Sequence, residues 1–327
     1  MTFERTHWVW MNGEVIPWSK ATTHVSAHGL HYGTGVFEGI RCYATNNGPA
    51  VFRVEEHLAR FFASAAIHGI EIPFSSDDLI EAITRVIREN GFYACYVRPI
   101  AYFGSGSLSL YQRDCAVEVV VLAWPWADYL GAEGQKRGVS VTISPWRKFE
   151  SKMMPTNAKA CGQYVNSVLA ITEAVKRGFA EAILLDAGGQ IAEGSGENLF
   201  IVSDQQLLTN DASHSILPGI TRDAVLRIAN DLGYSSKVKA LSIQDLLSAD
   251  EAFFTGTAVE VTPISELDDT PIGTRTPGPV TAEIQRIFLA ATAGQDERYK
   301  HWLYPVSSQS KTEVTIAGGA VTDCLVD

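Results

Sequence analysis

An amine, a phenol and a carboxylate stand in order in the middle of this 327-residue chain. Lys159 lies in Ala158-Lys159-Ala160-Cys161-Gly162-Gln163-Tyr164, and Glu193 opens Glu193-Gly194-Ser195-Gly196-Glu197-Asn198-Leu199-Phe200. Residues of these types suit a cofactor that forms a Schiff base. A buried carboxylate such as Glu193, facing a pyridine nitrogen, favours the pyridinium and makes the ring a better electron sink. An amine must be neutral to act as a base, and burial near a cationic ring lowers a lysine pKa. Read one at a time, Lys159 is also a solvated surface charge and Glu193 an exposed loop carboxylate.

Such a cofactor needs an anion site, and Leu217-Pro218-Gly219-Ile220-Thr221 offers one where a helix should begin. Unpaired N–H groups and the helix dipole favour an anion there, and Thr221 adds a hydroxyl. Its alternative is a simple helix cap. Gly256-Thr257 is a second small, polar turn at a strand end. In Tyr96-Val97-Arg98-Pro99, alternation puts Tyr96 and Arg98 on one strand face. Pointing into a cleft, that pair suits a carboxylate; an ordinary surface salt bridge is the other reading. Arg60 interrupts an otherwise apolar helix, Ala59-Arg60-Phe61-Phe62. Gly33-Thr34-Gly35 with Gly39, and Gly194-Ser195-Gly196, leave the dinucleotide fingerprint incomplete.

The elements that must position these residues mix strands and helices. Asn12-Gly13 marks a hairpin over 8–16. Helical periodicity runs over 55–67 through Leu58, Phe61, Phe62 and Ala65, and again over 78–90, with Ser75 or Ser76 as N-cap and Gly91 as stop. Val117 to Ala123 has strand length. Trp124-Pro125-Trp126 and Gly131-Ala132-Glu133-Gly134 break the pattern and place an interdomain connection at 126–136. Beyond it come a strand at 139–143, a helix over 162–177 ended by Gly178, and a hairpin turning at Ala187-Gly188-Gly189. Strands at 198–202 and 251–255 and helices from Thr221 to Leu232 and over 280–292 complete the reading. The domains are thus 1–125 and 137–305, and the tail at 306–327 is a polar C-terminal extension.

Bulk composition narrows the function classes. A chain of this length buries a sizeable core without disulfides or metal. The net charge of −11 argues against nucleic acid and anionic membrane surfaces as partners, while a small anionic substrate stays possible in a local basic pocket. Five widely spaced cysteines without a C-x-x-C pair fit reduced thiols in a cytoplasmic protein. His24, His28 and His31 read as structural or surface residues, and no metal site is expected. Met1-Thr2-Phe3-Glu4-Arg5 does not read as a signal peptide, and no apolar run approaches a membrane span.

The order of the motifs decides among these readings. From about residue 7 to 305 the chain resembles the branched-chain-amino-acid aminotransferases, pyridoxal-phosphate enzymes of fold type IV. The resemblance is carried by His31-Tyr32-Gly33-Thr34-Gly35-Val36-Phe37-Glu38-Gly39-Ile40-Arg41, Tyr96-Val97-Arg98-Pro99, Ala158-Lys159-Ala160, the Glu193–Phe200 stretch, Leu217-Pro218-Gly219-Ile220-Thr221-Arg222 and Gly256-Thr257-Ala258. It implies an α/β (α+β) protein with a smaller N-terminal sandwich domain and a larger C-terminal pseudo-barrel domain. It implies pyridoxal 5'-phosphate bonded to Lys159, which also shuttles the proton. Tyr164 then meets the phenolic oxygen and Glu193 the ring nitrogen. Arg60, the backbone at Ile220, Thr221 and Thr257 hold the phosphate, with Gly196, Leu217, Gly219 and Gly256 around the cofactor. The N–H groups of Thr257 and Ala258 take the substrate α-carboxylate. Tyr32, Phe37 and Tyr129 wall an apolar pocket, joined by Gly39 and Leu110, and Tyr96 and Arg98 receive the distal carboxylate of glutamate. The implied reaction passes the amino group of Leu, Ile or Val to 2-oxoglutarate in a homodimer or higher homo-oligomer, because the loop at 104–110 reaches the neighbouring subunit's pocket. D-amino-acid or (R)-amine transaminases, aminodeoxychorismate lyases and a non-catalytic pyridoxal-phosphate binder are the alternatives.

Overall fold

The computed structural model describes residues 3, 5–112, 114–126, 130–210, 213 and 215–306. Tyr129 and the extension beyond Val306 lie outside the described residues. In chain order the first part contains β1 (Trp8–Met11), β2 (Glu14–Pro17), α1 (His28–Tyr32), β3 (Gly35–Phe37), β4 (Ile40–Thr45), β5 (Gly48–Phe52), α2 (Val54–Ile67), α3 (Ser76–Glu89), β6 (Cys95–Phe103) and β7 (Val117–Trp124). The rest contains α4 (Gly131–Arg137), β8 (Val139–Arg147), α5 (Tyr164–Lys176), β9 (Glu181–Leu185), β10 (Ile191–Gly194), β11 (Asn198–Ser203), β12 (Gln206–Thr209), α6 (Ile220–Asp231) and β13 (Ser236–Val238). It closes with α7 (Ile243–Leu247), β14 (Glu251–Gly256), β15 (Glu260–Leu267), β16 (Thr270–Pro271), α8 (Pro279–Thr292) and β17 (Leu303–Pro305).

Two sheets result. The first runs β17-β5-β4-β6-β7-β1-β2, with β3 on β6. Its β1–β2 turn is the expected hairpin, with φ of 50° at Asn12 and 99° at Gly13, as a two-residue turn of the primed kind requires. α2 and α3 cover one face of this sheet. Leu58 and Phe61 from α2, and Leu79, Ile83 and Ile87 from α3, pack with Ile40, Val97, Val119 and Val121. α3 starts where a capping box fixes it: Asp78 N donates to Ser75 Oγ at 3.2 Å, and Ser75 N donates to Asp78 Oδ2 at 2.8 Å.

The second sheet runs β10-β9-β8-β15-β14-β11-β12-β13, with β16 on β15. It is buried on both faces. From β11, Phe200 and Val202 join the core under α6 and α8, while Leu199 and Ile201 join a second core with Val141, Ile183, Phe254 and Ile264. Phe200 stacks on Phe253 at 5.1 Å.

Two boundaries differ from expectation. Gly131–Arg137, read as connection, is a helix; Gly131 and Gly138 take positive φ on either side, so those glycines delimit the helix instead of dissolving it. The strand Leu303–Pro305, read with the second part, pairs with β5 of the first sheet. No helix among the described residues is long and apolar enough to cross a membrane.

Candidate active site

Lys159 lies between the two sheets on a clamped backbone. Its N–H donates to Ser64 Oγ on α2 at 3.0 Å, and its carbonyl accepts from Phe37 N at 3.0 Å. The next residue, Ala160, bridges to Val36. With the main chain held from both sides, Nζ reaches Tyr164 Oη at 2.6 Å, at the start of α5. Burial and the nearby charge of Arg60 lower the Lys159 amine to about 8. Burial raises the Tyr164 phenol well above its ordinary value. The pair is therefore a neutral hydroxyl beside an amine that loses its proton about pH 8.

A cavity of about 590 Å³, counting its mouth, opens around them. Arg60, Lys159, Tyr164, Glu193, Gly196, Leu217, Gly219, Ile220, Thr221, Gly256 and Thr257 all line it, so every residue expected around the cofactor meets there. At one end α6 begins at Ile220 behind Gly219, which has no side chain to cap it. The first N–H groups of the helix have no carbonyl behind them. Gly219 is required for another reason: a Cβ there would lie 2.0 Å from Asn198 Oδ1.

Arg60 faces the same end. A guanidinium has five N–H donors. Nε and Nη2 fork onto the two oxygens of Glu38 at 2.6 and 2.9 Å, and Nη1 donates to Pro218 O at 2.9 Å. One donor is left on each Nη, and an anion in the cavity that Arg60 lines can accept from them. Thr255 Oγ1 in the cavity wall is buried and has no partner among the described residues, so it too is available to an occupant.

Glu38 holds Arg60 in place, together with His57, whose Nδ1 is 2.7 Å from Glu38 Oε2. Burial alone would raise the Glu38 carboxyl, but the charge of Arg60 and the hydrogen bonds from His57 and Arg60 hold it well below the carboxylate range. Burial lowers His57, so the neutral ring donates through Nδ1. Glu38→Ala strips this triad of its only acid. We predict a loss of about 3–5 kcal/mol in urea unfolding of the cofactor-free protein, the usual cost of leaving a buried charge unpaired. An unchanged midpoint would show that Glu38 carries no such role.

The far wall carries Glu193. Oε2 accepts from Leu217 N at 3.0 Å and from Asn198 Nδ2 at 3.2 Å, and Oε1 pairs with Lys148 Nζ at 2.7 Å. Burial works against the Lys148 charge, but Glu193 outweighs it and the lysine is raised. Glu197 lines the cavity close by. Burial and the neighbouring Glu181 push Glu197 well above the carboxylate range, while burial pushes Glu181 up to about 6. The cavity wall thus favours the protonated form of Glu197, while Glu193 has the cationic Lys148 as its partner.

On the side of the first sheet, Phe37 joins two cations. Lys159 Nζ lies 5.1 Å from its ring centroid, and the Arg98 guanidinium 4.6 Å. Arg98 also lies over Tyr96 and Trp124, and its buried Nε has no partner among the described residues. Tyr96 stacks on Trp126 at 4.3 Å. Gly39 admits the Tyr96 hydroxyl, which would lie 1.9 Å from any Cβ at that position. Ala258 sits beside Thr257 in the turn between β14 and β15. Tyr32 and Leu110 do not reach the cavity of their own chain; they are 45% and 81% exposed, and Tyr32 Oη bonds Leu108 O at 2.9 Å.

Sequence reasoning passed over Glu38, His57, Lys148, Asn198 and Trp126 as separate contributors. Glu38, Glu197 and Asn198 were inside the quoted motifs. Trp126 was visible only as a break in patterning, and nothing local to Lys148 marks it.

Known proteins share this arrangement. The family model for amino-transferase class IV matches residues 35–267. The branched-chain-amino-acid aminotransferase of Salmonella typhimurium is 42% identical over 309 residues, 94% of this chain and 100% of its own length. Among solved structures, that of the Escherichia coli branched-chain amino acid aminotransferase superposes with a TM-score of 0.91 at 42% identity, covering 92% of this chain and 100% of the other. The T.th. branched-chain amino acid aminotransferase with pyridoxamine 5'-phosphate gives a TM-score of 0.90 at 47% identity, covering 92% and 99%. The paired sheets are those of fold type IV. The family match spans every cavity-lining residue from Arg60 to Thr257, and the chain belongs to the class IV aminotransferases.

Proposed function

We propose that this chain passes the amino group of a branched-chain L-amino acid (Leu, Ile or Val) to 2-oxoglutarate, using pyridoxal 5'-phosphate, and releases a branched 2-oxo acid and glutamate in two ping-pong halves. The observation that carries this reading is that one apolar ring, Phe37, contacts both Lys159 and Arg98. A substrate at Lys159 meets an apolar wall first and a cation at its rim. An alkyl side chain fits the former and a distal carboxylate the latter.

The residues present fit the cofactor. The free donors of Arg60, the N–H groups of Ile220 and Thr221, and the hydroxyls of Thr221 and Thr257 would hold its phosphate. Tyr164 would meet the phenolic oxygen and Glu193 the ring nitrogen. Gly196, Leu217, Gly219 and Gly256 let the backbone close around it. Bound there, the cofactor supplies the electron sink that makes the substrate α-proton acidic.

The chain supplies the rest. The N–H groups of Thr257 and Ala258 orient the substrate α-carboxylate. Nζ of Lys159, neutral once its proton is lost, takes the α-proton and returns it. Tyr164 Oη holds Nζ in reach at 2.6 Å. Phe37, with Gly39 and Tyr96, shapes an apolar pocket that excludes water, and Tyr96 and Arg98 take the second carboxylate of the acceptor.

Assembly as a homodimer or higher homo-oligomer belongs to the same reading. It is supported by the exposure of Tyr32, Leu108, Leu110 and Tyr111, an apolar group left uncovered in one chain. The division into domains at 1–125 and 137–305 and a cytoplasmic location are further parts of it, the latter supported by free thiols at Cys42, Cys95, Cys115 and Cys161.

The test is a panel of amino donors read at the cofactor absorbance band. L-leucine, L-isoleucine and L-valine should discharge the band in a single half-reaction, and D-amino acids and (R)-amines should leave it. Discharge by the D- or (R)-donors alone would transfer the chain to another branch of the family.

A further inference from the structure

Lys148 is the second lysine of the cavity, and nothing in the proposed reaction uses it. It follows the last residue of β8, where its N–H donates to Leu185 O at 2.9 Å, so its backbone is anchored to β9. Its side chain is 11% exposed and that of its partner Glu193 is 6% exposed. A lysine that deep is kept for its partner, since an ammonium is costly to bury unpaired.

A carboxylate has about four lone-pair directions. Those of Glu193 receive Lys148 on Oε1, and Leu217 N and Asn198 Nδ2 on Oε2. One direction is left, on Oε1, for a donor in the cavity. The three contacts come from three separate segments, so the plane of the carboxylate is fixed before anything binds. Lys148 also sets the charge balance of that last bond. Suppose one proton is shared between Glu193 and a ring nitrogen. Moving it to the ring creates a negative charge 2.7 Å from Nζ and a positive charge on the ring. Two cationic donors on one carboxylate stay farther apart than either stands from its oxygen. The attraction to Lys148 therefore exceeds the repulsion, and the proton is driven onto the ring.

We propose that Lys148 is a positioning residue of the reaction: through its ion pair it aims Glu193 into the cavity and makes it a stronger partner for a protonated ring nitrogen. This rests on the reading that Glu193 meets the cofactor ring. The lysine acts through the Glu193 carboxylate that it pairs with, and its charge also reaches the Tyr164 phenol.

The experiment is a double-mutant cycle on the full-length protein with Lys148→Met, Glu193→Gln and the pair, plus Lys148→Arg. Pyridoxal 5'-phosphate affinity, the position of its absorbance band and the L-leucine half-reaction are read for each. Glu193→Gln should slow the half-reaction by about 100-fold or more, and Lys148→Met should weaken affinity and rate by roughly 10- to 100-fold and shift the band. In the Glu193→Gln background Lys148→Met should change them by no more than about 3-fold, and Lys148→Arg should restore near-normal values. Losses that multiply in the double variant would overturn the proposal, because Lys148 would then act elsewhere. So would a Lys148→Met protein with the normal band and rate, or one that the arginine does not rescue. If Glu193→Gln alone changes nothing, the Glu193 reading fails and the proposal with it, an outcome distinct from multiplied losses on a crippled Glu193→Gln protein.

Discussion

Lys159→Ala is expected to abolish turnover, a fall on the order of 10⁴-fold or more, because in the proposed reaction one residue both holds the cofactor and moves the proton. The variant should also lack the absorbance band of the lysine-bound cofactor. Normal multiple turnover would end the assignment. A second consequence concerns stability. The amine is lowered to about 8 in the fold from 10.5 in an unperturbed chain, with burial as the main cause. Between those values the unfolded chain binds the extra proton, so stability rises with pH across that window and is lowest below pH 8. Lys159→Met removes the buried ammonium. The cofactor-free variant should therefore be more stable than the parent by about 1–3 kcal/mol at pH 7, a discounted figure because part of the side chain still reaches solvent. Urea midpoints from pH 7 to 10.5 should converge as the parent loses its proton. A gap that widens with pH would contradict the assigned protonation.

The same balance explains why such a lysine needs so firm a frame. Ser64, Phe37 and Val36 fix the backbone on either side of it, and Arg60 and Tyr164 set the charge and the contact at Nζ. Two charges of the cavity are in turn held by groups of their own. Arg60 rests on Glu38 and His57, and Glu193 on Lys148, Asn198 and the N–H of Leu217. Buried ion pairs thus fix the groups around Lys159 in place.

What the sequence made legible follows from this layering. α3 could be read because its one buried stripe repeats at helical spacing and Ser75 begins it with a capping box. β11 was found as a short apolar run without any alternation, since Leu199 and Phe200 point into different cores and neither face meets water. The residues that line the cavity could be listed from their motifs. Their supports could not, because a Lys148–Glu193 or Glu38–Arg60 contact leaves no periodic trace in the chain. Glycines misled in both directions: Gly131 suggested a linker where a helix starts, while Gly39 gave no hint that the Tyr96 hydroxyl fills the space of its missing side chain.

In the proposed reaction substrate choice rests on Arg98, and its removal should separate the two half-reactions. The guanidinium lies against Phe37, Tyr96 and Trp124, at 4.6, 5.6 and 5.8 Å from their centroids. Three aromatic faces hold a cation without neutralising it. Among the described residues its Nε has no partner and no carboxylate pairs with the group. A charge kept buried and unneutralised is a site for an incoming anion, and its distance from Lys159 is bridged by the one ring of Phe37. Arg98→Met keeps most of the apolar bulk and deletes the charge. The kcat/KM for 2-oxoglutarate should fall by roughly 10²–10³, equivalent to about 3–4 kcal/mol, the cost of losing a desolvated charge-assisted pair. L-leucine, whose side chain meets only the apolar wall, should change by less than about 5-fold, since no charged contact is lost. Lys in place of Arg98 should recover part of the loss, because an ammonium supplies the charge without the planar fork. Equal losses on the two substrates would mean that Arg98 only braces Phe37 and Tyr96, and the acceptor carboxylate would have to be held elsewhere.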